Sequence, residues 1–334
     1  MTDNKKLAAN KTVLLVFIVN VAAALIVSKV LIDLNADALT ANLVLSLTTQ
    51  VFCLGILPFT LFNVFRKKRA DGGETFGEYI SFSAPAGGAM RRIVWITICA
   101  MTVSAFISAL TQAALSFLPM GEAAAEAAAA ETEAMSFEMF LLGLVTGCLF
   151  PAIFEEFTFR GILLGAYKDS PKVGVILSAA MFSLMHMNID QTFYTFFIGV
   201  ILAVLTLKSR SIIPAMTFHF LNNAASLVTA YALSFLASSA GDMPAAESLP
   251  VESVPPDPAG EMIAAVIAIG FAVAVAALMI YGLISGIKKI NADNPVDWDK
   301  TSANPEAKKT RLTVAAAVVI GVAMTALTVV FRML

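Results

Sequence analysis

Residues 139–167 read MFLLGLVTGCLFPAIFEEFTFRGILLGAY. Apart from Glu155, Glu156 and Arg160 the run is uncharged. At about 1.5 Å of rise per residue it is long enough, as a helix, to cross the roughly 30 Å hydrocarbon core of a bilayer. It therefore reads as a membrane span with three ionisable groups inside it. Such groups are costly at bilayer depth and mark a functional site by default. Glu156 and Arg160 are four residues apart, share a helix face and can pair. Glu155 points about 100° away from that face and has no partner nearby in the sequence. The pair reads as structural and Glu155 as the reactive group. The plainer alternative is a buried ion-pair cluster with no chemistry.

Composition extends the same reading to the whole chain. Of 334 residues, 58% are hydrophobic and 14% charged. Several apolar runs reach the roughly 20 residues needed to span a bilayer, so the fold class is all-α, a polytopic transmembrane helical bundle. A net charge of −2 points to no nucleic-acid partner. Cys53, Cys99 and Cys148 fall inside apolar runs without motif spacing, as packing residues do. The lysines before Thr12 resemble the start of a signal peptide. The apolar run after them is longer than a signal core, so it reads as an uncleaved first span.

About nine spans are expected, near Thr12–Ile32, Ala41–Phe65, Ile93–Leu118, Met139–Tyr167, Val173–Ile189, Thr192–Leu207, Ile212–Leu236, Met262–Ile287 and Leu312–Phe331. Alternate loops then differ in charge. One set holds Arg66–Arg69 with Arg91 and Arg92, then Lys168 and Lys172, then Lys208 and Arg210, then Lys288, Lys289, Lys308, Lys309 and Arg311. The other set holds Asp33 and Asp37, the acidic stretch Glu122–Glu138, Asp190, and Asp242–Glu261. Lysine and arginine bias sets orientation, which predicts a cytoplasmic N-terminus. The chain divides into three N-terminal spans with an acidic outer loop (1–138), a four-helix core (139–236), and an outer linker with two C-terminal spans (237–334). The Ala/Glu-rich stretch from Gly121 to Glu133 suits a surface helix, and the proline-rich one from Asp242 to Gly260 a flexible linker. Asp71–Met90 reads as a loop on the headgroups or as an amphipathic segment feeding a groove.

The chain has two histidines, both in apolar helical segments: Phe182-Ser-Leu-Met-His186 and His219-Phe-Leu-Asn-Asn223. Depth along a helix can be counted from the basic flanks. Glu155 lies roughly 20 Å from Lys168, His186 roughly 21 Å from Lys172 and Asn223 roughly 20 Å from Arg210, with His219 one turn shallower at roughly 14 Å. One carboxylate, two imidazoles and a carboxamide at one level suit hydrolysis. The carboxylate can take a proton from water. One imidazole can orient that water or protonate a leaving amine, and the other can join an amide N–H in holding an oxyanion. The same groups also suit a metal, with Glu155, His186 and His219 as zinc ligands. No serine-nucleophile motif is present, and no cysteine stands at a histidine's spacing.

Taken together, Glu155-Glu156-x-x-x-Arg160, Phe182-x-x-x-His186 and His219-x-x-x-Asn223 resemble, in order, the three motifs of the CAAX protease and bacteriocin-processing (CPBP, or Abi) family of intramembrane endopeptidases. The resemblance covers about Met139 to Leu236. It implies that Glu155 and His186 activate water and that His219 and Asn223 form an oxyanion site. Glu156, Arg160 and Phe182 would support them from behind. Family members have been argued both to use and to do without a metal, so zinc stays open, with no cofactor committed. The implied partners are a membrane protein or peptide substrate and the lipid bilayer, and the implied location is a bacterial plasma membrane. Bacterial relatives also include self-immunity proteins and membrane scaffolds, which is the alternative to proteolysis. A proton-coupled transporter would need an inverted repeat, and none is visible.

Overall fold

The computed structural model describes residues 2–65, 75–117, 135–241, 258–300 and 307–333. The basic cluster Arg66–Arg69, the Ala/Glu-rich stretch 121–133 and most of the proline-rich stretch (242–257) lie outside the described residues.

The described residues form nine long helices and one short one, with no strand. They are α1 Thr2–Asp33, α2 Ala38–Phe65, α3 Phe76–Tyr79, α4 Ala89–Leu115, α5 Phe137–Leu163, α6 Pro171–Met185, α7 Ile189–Ser209, α8 Ile213–Gly241, α9 Pro258–Lys288 and α10 Ala307–Met333. Each expected span falls on one long helix. Among the described residues, α1, α2, α4, α5, α7 and α9 are long and apolar enough to cross a membrane. The apolar parts of α6 and α10 are shorter, and α8 carries the strongly polar His219, Asn222 and Asn223.

Helix starts follow local chemistry. Asp37 caps α2 by accepting from Thr40 N, Ser136 caps α5 by accepting from Met139 N, and Asn188 caps α7 by accepting from Asp190 N. Pro171 occupies the first turn of α6, where a missing N–H costs nothing. The span expected to run from Val173 to Ile189 ends at Met185, and Met187 takes a left-handed φ of 47°. His186 therefore terminates a helix rather than sitting within one.

Helix α5 runs through the bundle and is not uniformly wound. Residues 144–149 and 157–163 form π-helical turns, with Phe150 N–H donating to the Val145 carbonyl and Leu164 N–H to that of Phe159. Between them, Phe150–Glu156 is ordinary α-helix with Pro151 in its first turn. Helix α2 widens in the same way over Leu47–Ile56 and packs there against Phe150–Glu156. Single wide turns of this kind recur at functional sites.

The remaining helices enclose this pair. Helices α6 and α7 form a hairpin held tight at Gly199, where an added Cβ would lie 2.9 Å from Ala179 Cα. Helix α4 packs on α7, α8 and α9, and α10 packs on α1 and α6. The segment before α4 is docked into the bundle rather than laid on its surface. Tyr79 is buried and its hydroxyl donates to the Ile162 carbonyl at 2.8 Å. Phe76 packs edge-on to Phe59, and Lys168 Nζ donates to the carbonyls of Glu78 and Tyr79.

The loops with a basic bias meet at one end of the bundle. Lys6 pairs with Asp169 at 2.8 Å, Lys172 with Asp299 at 2.6 Å, and Ser83 Oγ donates to the Arg210 carbonyl at 3.0 Å. At the other end, Met135 N–H donates to Ser234 Oγ. This is the alternation that the loop charges implied.

Candidate active site

The first level of the site is a dry ion pair. Arg160 Nη1 donates to Glu156 Oε1 at 2.8 Å, and both side chains are fully buried. Arg160 Nη2 donates to the Gly199 carbonyl at 3.2 Å, and the guanidinium lies 4.3 Å from the Phe182 ring centroid. The close α6–α7 contact at Gly199 brings that carbonyl within reach. Phe182 in turn meets both imidazoles edge-on, with centroids 5.0 Å from His186 and 5.7 Å from His219.

Glu156 has a second partner that its spacing did not reveal. His219 Nδ1 lies 2.9 Å from the same Oε1. A carboxylate in an ion pair can only accept, so Nδ1 carries the proton and Nε2 points elsewhere. Nε2 lies 4.0 Å from Glu155 Oε2. His219 therefore stands beside Glu155, not one turn shallower as the depth count has it. The count fails because α5 ends at Leu163, so Lys168 is not on the helix from which depth is measured. Two π-helical segments also change the rise per residue.

His186 is oriented by the end of its own helix. Its Nδ1 lies 2.9 Å from the Phe182 carbonyl, one of the last carbonyls of α6. Such carbonyls lack an intrahelical partner, and a nearby histidine can supply one. The carbonyl accepts, so Nδ1 holds the proton and neutral His186 offers a lone pair at Nε2.

Asn223 reaches across to α5, where its Nδ2 donates to the Gly147 carbonyl at 3.1 Å. That carbonyl is four residues before Pro151, which has no N–H to give it. Asn222 Nδ2 donates to Asn223 Oδ1 at 3.2 Å and fixes the amide's orientation. One hydrogen of the Asn223 amide remains for another acceptor.

Glu155, His186, His219 and Asn223 all line one cavity of about 600 Å³. Its walls come from α4, α5, α6, α7 and α8, and they include Ser104, Gln191, Tyr194 and Asn222. Glu156 and Arg160 lie behind it, fully buried. Gln50 is the principal contact that sequence reasoning missed. From α2, its Nε2 donates to Glu155 Oε1 at 3.0 Å. An amide near the middle of the apolar run 41–65, well away from Asn42 and Asn63 at its ends, was the available signal. The wall residues Ser104 and Ser108 gave a similar one, being polar and one turn apart inside a span.

Both imidazoles use Nδ1 within the protein. Among the described residues, no three His, Cys, Asp or Glu side chains converge on a point that would hold a metal ion.

Fold and site together define a class: a membrane-spanning helical bundle with a polar cavity built on a buried glutamate pair and two histidines. Residues 137–225 match the family model of type II CAAX prenyl endopeptidases, Rce1-like. The matched segment contains all three motifs, so the family resemblance read from them is borne out over these residues. No curated protein and no solved structure matches the chain.

Proposed function

We propose that this protein is an intramembrane endopeptidase that hydrolyses peptide bonds of membrane-embedded or membrane-attached proteins, with Glu155 as its base. The observation that carries the reading is the lining of one cavity by Glu155, His186, His219 and Asn223.

Each group has a role that its hydrogen bonds permit. A water in the cavity donates one hydrogen to Glu155 and the other to the lone pair of His186 Nε2. Glu155 takes the first proton as the water oxygen bonds to the scissile carbonyl carbon. The carbonyl electrons move onto oxygen, which accepts from the free amide hydrogen of Asn223 and from Nε2–H of doubly protonated His219. When the C–N bond breaks, Glu155 returns its proton to the leaving amine. Water has then supplied OH to one fragment and H to the other. Glu156 holds His219 by Nδ1 so that Nε2 faces the reacting oxygen.

The experiment compares membrane peptides in cells carrying wild type and Glu155→Gln. Glutamine keeps the shape of the side chain and its hydrogen bonding but cannot serve as the base. Full-length forms of specific membrane proteins should accumulate in the variant, and their cleaved forms should disappear. Identical peptide profiles, with both proteins present at equal level, would favour the scaffold or immunity reading.

A further inference from the structure

Gln50 is contributed by α2, outside the segment 137–225 that carries the family match. Its amide nitrogen donates to Glu155 Oε1 at 3.0 Å, while Glu155 Oε2 makes no hydrogen bond and lies 4.0 Å from His219 Nε2. The two oxygens of the carboxylate are thus unequal. One is tied to a neutral donor and the other is turned toward the imidazole.

Helix α2 is itself pinned to α5 on both sides of this contact. Thr158 Oγ1 donates to the Leu54 carbonyl at 2.6 Å, one turn beyond Gln50. One residue further, an added Cβ on Gly55 would lie 2.7 Å from Phe154 Cδ1, so any larger residue there would have to displace the Phe154 ring. At the other end, Thr146 Oγ1, whose hydrogen goes to the Leu142 carbonyl at 2.9 Å, lies 3.4 Å from Asn42 Oδ1. The Gln50 amide is therefore presented from a fixed backbone.

Nor does the amide look placed for stability alone. Its own oxygen is buried without a hydrogen-bond partner, an arrangement that native structures largely avoid and that calls for a specific reason. Turning the amide over would set that oxygen against Glu155 Oε1, acceptor to acceptor, and lose the one hydrogen bond the side chain makes. Contact with the carboxylate is what selects the observed orientation.

We infer that Gln50 is a positioning residue for Glu155: it holds Oε1 so that Oε2 is the oxygen that exchanges the proton. Gln50 touches neither water nor substrate in this role. The inference rests on Glu155 being the base of the proposed hydrolysis. It adds to the motif set a residue from a part of the chain that the family match does not reach.

The test uses the full-length protein in detergent or nanodiscs and two readouts. The first is the infrared carboxyl band of Glu155, identified by its absence from Glu155→Gln. In Gln50→Met, which fills the same space without a donor, that band should move from its wild-type position. The second is steady-state cleavage of a membrane peptide that accumulates in the Glu155→Gln strain. For Gln50→Met, kcat should fall about 10–100-fold, as losses of supporting contacts do. KM should stay within about twofold, because the substrate's own contacts remain. Gln50→His, whose ring N–H restores a donor, should recover part of both signals. Where Gln50→Met does not fold, Gln50→Glu takes its place, keeping shape and polarity while replacing the donor with a carboxylate. An unmoved Glu155 band, or a moved band with unchanged kcat, would overturn the inference. A wild type that cleaves no membrane peptide defeats the hydrolytic reading alone, and the band still decides whether Gln50 orients Glu155.

Discussion

Glu156→Gln is the perturbation whose cost the structure defines best. Glu156 Oε1 accepts from Arg160 at 2.8 Å and from His219 at 2.9 Å, and the side chains of the Arg160 pair are fully buried. Glutamine retains an acceptor oxygen but loses the charge, leaving the Arg160 guanidinium without a counter-ion in a dry interior. Removing one partner of a buried pair costs about 3–5 kcal/mol. No solvent-screening discount applies, because neither side chain touches water. Glu155→Gln differs, since Glu155 borders the cavity and its one direct hydrogen bond is to a neutral amide. A glutamine there can turn its own oxygen to Gln50, so the net loss is at most about 1 kcal/mol. At about 2 °C per kcal/mol, the thermal midpoint of Glu156→Gln should fall by roughly 6–10 °C, and that of Glu155→Gln by about 2 °C or less. Cys53, Cys99 and Cys148 are free and buried, so a thiol-reactive dye that fluoresces on coupling reports unfolding directly. Equal midpoints for the two variants, or a larger fall for Glu155→Gln, would refute the division between a supporting and a reacting carboxylate.

Four further outcomes are expected. Asn223→Ala should lower kcat about 10²–10³-fold in the peptide assay, the loss typical of one oxyanion donor, with a midpoint close to wild type. Tyr79→Phe leaves the buried Ile162 carbonyl without its donor and should cost about 1–3 kcal/mol in the dye assay. Gly199→Ala puts a methyl 2.9 Å from Ala179 Cα and should cost a similar 1–3 kcal/mol by overpacking; it should also lower kcat, because the Gly199 carbonyl helps hold Arg160. Protein purified without added metal should keep its activity through a strong chelator; stoichiometric bound zinc, with activity lost on chelation and restored by zinc alone, would make the histidines ligands instead.

Much of this molecule was legible because a bilayer constrains sequence severely. Apolar runs fall on all nine long helices, and the Glu156–Arg160 pair follows from helical spacing alone. What could not be read is where a polar side chain turns once helices pack. Glu156 and His219 are 63 residues apart, and Gln50 and Glu155 are 105 apart. No periodicity connects them. The depth count sets His219 one turn from Glu155, whereas their side chains lie 4.0 Å apart, because it assumes regular helices running unbroken to the flanking basic residues. His186 was read as an interior helical residue, whereas the helix stops just before it and the ring caps that end. The signal was present in Asn188, a good capping residue three positions past Met185.

Charge balance links the supporting groups to the chemistry. Glu155, Glu156 and Arg160 together carry one net negative charge, and all three are buried. The hydrolysis proposed above needs an ionised Glu155 and a hydrogen on His219 Nε2, and the contacts around them suit that state. Glu156 accepts Nδ1–H of His219, so Nε2 is the ring atom left to face the cavity, 4.0 Å from Glu155 Oε2. A ring protonated at Nδ1 alone has no hydrogen there, and a second ring proton supplies one while offsetting the negative charge of the cluster. Gln50 bears on the other carboxylate oxygen, because its N–H is a better partner for an ionised Oε1 than for a protonated carboxyl. In the proposed reaction, then, Glu156 aims the hydrogen-bond donor and Gln50 supports the base, each from behind the cavity.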